Sequence, residues 1–241
     1  MTQYVYGKNV VHQLLKEQKR IYEVIVSEGL KDRELIKALK QRHLTIRSMP
    51  RKQMDRLLKT EHHQGIAACI DDYKTYSLEE LLETIPEGKT PFLIMLDNLE
   101  DPHNLGAILR TCDAVGADGV ILAKNRSVSL NPTVAKVSTG AIDTVKVAVV
   151  NNLSQTLVRL KEKGFWAVGA DLEQSIDYRE ADFTVPLVLV VGSEGFGIRP
   201  LVRKNCDYCV RLPMVGTITS LNASVACGIL LYEVFNQRDH R

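Results

Sequence analysis

No stretch of the 241-residue sequence approaches the ~20 consecutive apolar residues that a membrane-spanning helix requires. The opening MTQYVYGKNVVHQ lacks the basic-then-apolar order of a secretory leader, so the chain reads as cytoplasmic. Cysteine is scarce, with five residues in all. Cys69, Cys112 and Cys227 lie in apolar segments and read as small core residues. Cys206 and Cys209 form a C-x-x-C with no second Cys or His pair at zinc-ligand spacing, so no metal is expected. That pair is either a redox motif or two residues flanking the start of a buried strand. Low-complexity tracts are also lacking, and the composition, 45% hydrophobic and 25% charged, is that of an ordinary globular chain.

Charge is nearly balanced, at a formal +2, but unevenly spread. Residues 1–76 hold 15 Lys and Arg against 9 Asp and Glu, a net of +6, and the remainder holds 16 against 20, a net of −4. A basic module ahead of a neutral-to-acidic one suits a phosphate-binding domain tethered to a catalytic domain.

Hydrophobic periodicity divides the chain in the same place. Over residues 1–75 it predicts a small α/β domain. Helical spacing of Val10, Val11, Leu14 and Leu15 is followed by strand Tyr22–Ser27, a helix around Leu35, Ile36 and Leu39, and strand Leu44–Ser48. A short helix around Met54 and Leu57 and a strand over Gly65–Ile70 complete it. Residues 76–91 read as a linker with a short helix that Ser77 caps. Residues 92–241 form the second domain. Near-continuous apolar strands are expected at 92–96, 119–123, 145–149, 166–169, 187–191 and 208–212. Helices are expected at 105–115, 132–138, 153–163 and 222–236. Such alternation predicts an α/β fold with a mainly parallel sheet covered on both faces. Ligands of these sheets bind beyond the strands' carboxyl ends, so the chemistry belongs in the loops that follow them.

Three such loops stand out. The first, Asp97–Gly106, is polar and leads into a helix carrying Asn104 and Arg110. A helix start there is an anion site. Arg110 stands among Leu105, Ala107, Ile108, Leu109 and Cys112 and is expected to need a partner, either a phosphate held bidentately or a structural carboxylate such as Asp113. The second loop, Gly192-Ser193-Glu194-Gly195-Phe196-Gly197, has the order G-x-x-G-x-G. It matches neither the G-x-G-x-x-G of dinucleotide folds nor a phosphate loop ending in Gly-Lys-Ser/Thr. Its Glu194 argues for a cationic or hydrogen-bond-donating ligand. The third, Leu212–Ala226, is rich in glycine and hydroxyls. Ser220 and Asn222 there are either helix caps or ligand-binding groups.

The segments N-L-E-D-P-H-N-L-G-A-I-L-R-T, V-G-S-E-G-F-G and L-P-M-x-G-x-x-x-S-L-N-A-S-V-A, in that order, resemble the three motifs of the SpoU branch of the SPOUT RNA methyltransferases. The likeness covers residues 92–238. Residues 1–75 resemble the ribosomal-protein-like RNA-binding domain carried by ribosomal-RNA members, through Y-G-K-N-V-V and H-Q-G-I-A. The resemblance implies a trefoil-knotted catalytic domain, an exception to the rule that chains do not thread loops. It implies S-adenosylmethionine as methyl donor, held by main-chain groups around Gly192, Leu212, Met214 and Leu221. It places Arg110 nearest the attacked ribose hydroxyl, with Asn104, Glu194, Ser220 and Asn222 in the surrounding hydrogen-bond network. It further implies a homodimer with the 222–236 helix at its interface, and a substrate in 23S ribosomal RNA methylated at a guanosine 2′-hydroxyl. The rival expectations are a transfer-RNA 2′-O-methyltransferase and a non-catalytic RNA-binding or assembly factor. RNA affinity is expected mainly from the N-terminal module, through Lys8, Lys16, Lys19, Arg20, Arg51, Lys52 and Arg56. With aromatics at 6% and no stacking platform among them, recognition of RNA shape is expected.

Overall fold

The computed structural model describes residues 2–16, 19–193, 195–218 and 220–239, with only the backbone of Asp239. The chain forms two compact units, Met1–Tyr73 with Asn131–Lys136, and Lys74–Leu130 with Val137–Arg241.

The first unit carries a four-stranded sheet in the order β1 (Thr2–Tyr6), β4 (Ile66–Asp71), β2 (Ile21–Ser27), β3 (Ile46–Met49). The β1–β4 and β4–β2 pairs are antiparallel, and β2–β3 is parallel. Helices α1 (Lys8–Lys16) and α2 (Arg33–Gln41) bury Val11, Leu14, Leu35 and Leu39 against Val24, Ile66 and Ala68. Met54 of α3 (Arg51–Leu58) packs with Ile25, Met49 and Ala67 in a separate cluster. Strand β1 was not expected from the sequence. Its polar Thr2 and Gln3 break the apolar run, and it is recognisable only by its pairing with β4.

Residues 76–91, expected as a linker, fall within the second unit, and their helix packs on its core through two leucines, whereas residues 86–90 are exposed. Ser77 and Glu80 form a reciprocal capping box that starts α4 (Leu78–Glu83), and Leu78 and Leu81 are buried in the main hydrophobic cluster. The fit is tight: a Cβ on Gly119 would lie 2.4 Å from a Leu81 methyl. Two buried leucines contribute about 1.5–3 kcal/mol each, enough to dock a six-residue helix that would not form alone.

Beyond α4 strand and helix alternate: β5 (Phe92–Asp97), α5 (Pro102–Ala114), β6 (Gly119–Ala123), α6 (Pro132–Ser138), whose residues up to Lys136 are grouped with the first unit, α7 (Ala141–Thr144), β7 (Val147–Val150), α8 (Leu153–Glu162) and β8 (Trp166–Ala170). Then follow β9 (Ser175–Asp177), β10 (Leu187–Gly192), α9 (Pro200–Lys204), β11 (Tyr208–Arg211) and α10 (Ala223–Asp239). The sheet order is β7-β6-β5-β10-β8-β11-β9, and every pairing is parallel. All six residues of β5 and all six of β10 are buried, which is why both read as unbroken apolar runs. Expected strands and observed ones agree to within two residues, and the three-residue β9 is additional. The late strand β10 inserts between β5 and β8, in register with Gly192 opposite Asp97. The loops after β5, β10 and β11 therefore open at one edge of the sheet.

Candidate active site

The first loop is shaped by its helix start. Asp101 caps α5 by accepting from the His103 amide at 2.9 Å, and Pro102 sits in the first turn, where its missing N–H costs nothing. Asn104 is thereby placed on the buried side of α5. Arg110 is not. It is exposed, on the same stripe as His103 and Ala114, and no ion pair to it is found among the described residues. Burial of Arg110 among its apolar sequence neighbours is corrected on this point, and the structural carboxylate partner is not found among the described residues. Leu105, Ile108, Leu109 and Cys112 are its neighbours in sequence but occupy other faces of the helix.

The second loop turns back on itself. Gly195 and Gly197 have φ of +80° and +62°, which a side chain would strain. The Gly197 amide donates to the Ser193 carbonyl at 2.9 Å. A Cβ on Gly192 would lie 2.1 Å from the carbonyl carbon and oxygen of Gly197, so only glycine permits the strand end and the turn to touch. The loop's exit is fixed by Asp97, which is fully buried at the end of β5. Its carboxylate accepts from the Arg199 backbone amide at 2.8 Å and from the Arg199 Nε at 2.7 Å. Glu194, expected in the hydrogen-bond network, lies outside the described residues.

In the third loop Asn222 does two things at once. Its Oδ1 accepts from the Ser224 and Val225 amides at 3.0 and 3.3 Å, capping α10. Its Nδ2 donates to Asn104 Oδ1 at 2.9 Å. Asn222 is therefore a helix cap, and its second bond ties the third loop to the first.

Beyond the ends of β8, β10 and β11 lies a cavity of about 590 Å³. Gly192, Leu212, Met214, Ser220 and Leu221, drawn from two sequence motifs, all line it. Asn104 and Arg110 are not among its lining residues. The sequence reading missed Asp171, Glu173, Arg203 and Arg211 in the wall. Asp171 directly follows β8, and that strand-end position was the available signal. Arg203 ion-pairs with Glu173 and lies 3.7 Å from Asp171, and the Glu173 hydrogen bond raises its already high pKa further.

Cys206 and Cys209 flank and enter β11 as free thiols. Burial pushes the Cys206 thiol up to about 12 and raises Cys209 as well, the opposite of a reactive thiolate environment. Among the described residues no helix is long and apolar enough to cross a membrane.

A parallel α/β sheet with a glycine-lined cavity at its carboxyl edge defines a ligand-binding α/β protein, and comparison with known proteins narrows the class. Residues 91–232 match the model of the SpoU rRNA Methylase family, and residues 4–76 match that of the RNA 2′-O ribose methyltransferase substrate-binding domain. The chain belongs to the SpoU methylase family. It is 45% identical over 240 residues to the YacO protein of Bacillus subtilis, assigned by its name to the TrmH family of tRNA/rRNA methyltransferases, with 98% of this chain and 96% of YacO covered. Among solved structures, the A. aeolicus TrmH/SpoU tRNA modifying enzyme aligns with a TM-score of 0.59 and 35% identity, over 68% of this chain and 83% of that one. The SpoU methyltransferase AviRb of Streptomyces viridochromogenes, solved with AdoMet, aligns with a TM-score of 0.64 at 23% identity, over 100% and 92% of the two chains. That last likeness is one of fold.

Proposed function

We propose that the protein transfers a methyl group from S-adenosylmethionine to the ribose 2′-hydroxyl of a guanosine in 23S ribosomal RNA. The observation that carries this reading is the convergence of the motif loops. Gly192, Leu212, Met214, Ser220 and Leu221 surround one cavity, while Asn222 reaches from that cavity's third loop to Asn104 of the first.

The cavity suits the donor. Glycines bring backbone against backbone at its floor, and its wall is charge-balanced, with Asp171 and Glu173 paired to Arg203 and with Arg211 beside them. Gly192, Leu212, Met214 and Leu221 would hold the donor, which supplies an electrophilic methyl on a sulfonium. In the transfer an O–C bond would form as the C–S bond breaks, the sulfonium leaving as the neutral thioether S-adenosylhomocysteine. The hydroxyl proton would pass to a phosphate oxygen of the RNA and from there to water. Arg110, permanently protonated, grips the neighbouring phosphate and stabilises charge developing on the attacking oxygen. Asn104, Glu194, Ser220 and Asn222 orient the hydroxyl. Holding the reactants in line supplies several kcal/mol of the barrier reduction.

Arg110 is presented on an exposed helix face, outside the wall of the cavity of its own chain. This supports a homodimer in which α10 contributes the contact. Val225, Ile229, Tyr232 and Phe235 form an exposed apolar stripe at helical spacing along α10, which packs on α5. Insertion of β10 between β5 and β8 supports the trefoil-knotted threading of this domain.

The test is transfer of labelled methyl from S-adenosylmethionine to ribosomal RNA, with ribose methylations mapped in a deletion strain. Loss of one 2′-O-methylguanosine from 23S rRNA is expected. Loss from transfer RNA instead overturns the substrate, and absence of donor binding at millimolar concentration overturns the enzyme reading in favour of an RNA-binding factor.

A further inference from the structure

We infer that Arg126, with Lys124 beside it, binds backbone phosphates of the RNA strand that carries the methylated ribose, so that the catalytic unit holds its substrate directly. The inference rests on the proposed methyl transfer to RNA. Strand β6 ends at Ala123, and the chain continues as Lys124-Asn125-Arg126-Ser127, the first three of them exposed. Leu122 lies opposite Leu96 in the parallel β5–β6 pair, so this loop leaves the sheet beside the first motif loop. The two loops are joined. The Val128 amide donates to the Leu99 carbonyl at 2.7 Å, and the Ser127 hydroxyl donates to the same oxygen at 3.4 Å. Three residues beyond Leu99 begins α5, the helix of Asn104 and Arg110. The two cations are thereby anchored to the segment proposed to receive the reacting sugar.

Arg126 has a φ of +57°, in the left-handed region. An L side chain is strained there, and glycine, or an asparagine such as the one at position 125, takes that conformation more easily. Among the described residues nothing compensates the strain. Neither Lys124 nor Arg126 has an ion pair or a side-chain hydrogen bond there, although Glu100 and Asp101 directly follow Leu99 in the joined loop. Strained residues without an internal reason for the strain gather where a ligand is met. The side chains define the ligand's chemistry. Two uncompensated cations two positions apart, within the net-acidic stretch 77–241, attract a polyanion of closely spaced charges. The planar guanidinium takes a phosphate through two parallel N–H bonds, and the ammonium adds a point charge.

The experiment uses the full-length protein, protein-free 23S ribosomal RNA as the probe, and labelled S-adenosylmethionine. Arg126→Gly removes the guanidinium and relieves the left-handed backbone, so its melting temperature should equal or exceed that of wild type. RNA affinity by filter retention should nevertheless fall about fivefold at roughly 100 mM salt. The slope of log affinity against log salt should fall by about 0.7–0.9, the value of one phosphate. The KM for RNA should rise while affinity for S-adenosylhomocysteine stays at the wild-type level. Arg126→Lys keeps the charge and should retain most of the RNA affinity, and adding Lys124→Ala to Arg126→Gly should remove a second phosphate's share of the slope. Wild-type RNA affinity and salt slope in a folded Arg126→Gly protein overturn the inference. So does a lowered melting temperature with unchanged RNA binding, which would make Arg126 a structural residue. Wild-type protein that binds RNA but neither binds S-adenosylhomocysteine nor transfers methyl overturns the proposed reaction instead, and the salt slopes of the variants still decide the phosphate contact.

Discussion

Asn222 donates through Nδ2 to Asn104 Oδ1 at 2.9 Å, joining residues 118 positions apart. The orientation of the bond is settled by what Asn222 does with its other atom. Oδ1 takes the amides of Ser224 and Val225 at the start of α10, so Nδ2 is the end left to face Asn104. One side chain therefore caps a helix and connects two of the three motif loops.

The two roles separate by substitution. Asn222→Asp keeps an oxygen for the helix amides and adds a charge that a helix N-terminus favours, but it has no donor for Asn104. Asn104 can answer only by turning its own amide over. We expect Asn222→Asp to hold the wild-type melting temperature while methyl transfer falls at least tenfold. Asn222→Ala loses the cap as well, at about 1 kcal/mol. Full activity in Asn222→Asp, measured by methyl incorporation, would remove the link from the catalytic network.

Arg110 offers a sharper separation of stability from activity. It is exposed and without an ion pair among the described residues, so Arg110→Ala should change unfolding free energy by no more than about 0.5 kcal/mol. Turnover should fall about 10²-fold or more, as when one preorganised electrostatic donor is removed. Arg110→Lys keeps the charge on phosphate and is expected to retain measurable turnover. An inactive Lys variant that still binds RNA normally would assign the guanidinium a proton-transfer role instead.

What the sequence disclosed, and what it hid, follows from the range of the interactions. Strands β5 and β10 were legible because complete burial leaves every residue apolar. The loops at their ends were legible as glycine and polar punctuation. Arg110 was misjudged because residues adjacent in a sequence are 100° apart on a helix, and apolar neighbours there say nothing about the face that an arginine occupies. The Asp97–Arg199 pair, 102 positions apart, left no local trace, nor did the wall residues Asp171 and Arg203. Helix α4 looked like a linker because its docking depends on the fit of Leu81 under Gly119, which only tertiary packing creates.

The apolar stripe of α10 makes the oligomeric state testable. Tyr232 is 54% exposed and Val225 50% exposed in the single chain, an unusual cost for a helix that packs on its other side. Replacing the central Ile229 by Asp should leave the monomer folded, since its side faces out. Sedimentation is expected to show a dimer for the wild type and a monomer for this variant, with methyl transfer falling alongside. A wild-type protein that sediments as a monomer at micromolar concentration would contradict the proposed assembly.

Helix α3 carries Arg51, Lys52 and Arg56 on its exposed side, with Met54 turned into the core. If these cations meet RNA phosphates, changing all three to Ala should lower the slope of log affinity against log salt by about 2 to 3, at roughly 0.7–0.9 per phosphate. Folding should be unaffected, because the packing residue is untouched. The readout is RNA binding by filter retention between 50 and 300 mM salt, roughly the range over which such contacts are screened. An unchanged slope would move RNA recognition to another face of the N-terminal unit.

Asp97 is fully buried, and the Arg199 side chain that answers it is 41% exposed. Removing the guanidinium leaves one carboxylate oxygen without its charged donor, while the Arg199 backbone amide still reaches the other oxygen. Breaking a fully buried pair costs about 3–5 kcal/mol, and with one partner partly solvated and one bond retained we expect about 2 kcal/mol for Arg199→Ala. Asp97→Asn removes the charge that made the loss expensive. The double variant should therefore be less destabilised in urea than the two single changes added together, by about 1 kcal/mol or more. Because Arg199 fixes the exit of the Gly192–Gly197 turn, Arg199→Ala should also weaken S-adenosylhomocysteine binding. Strict additivity, together with unaltered ligand affinity, would mean that the pair neither couples energetically nor shapes the donor loop.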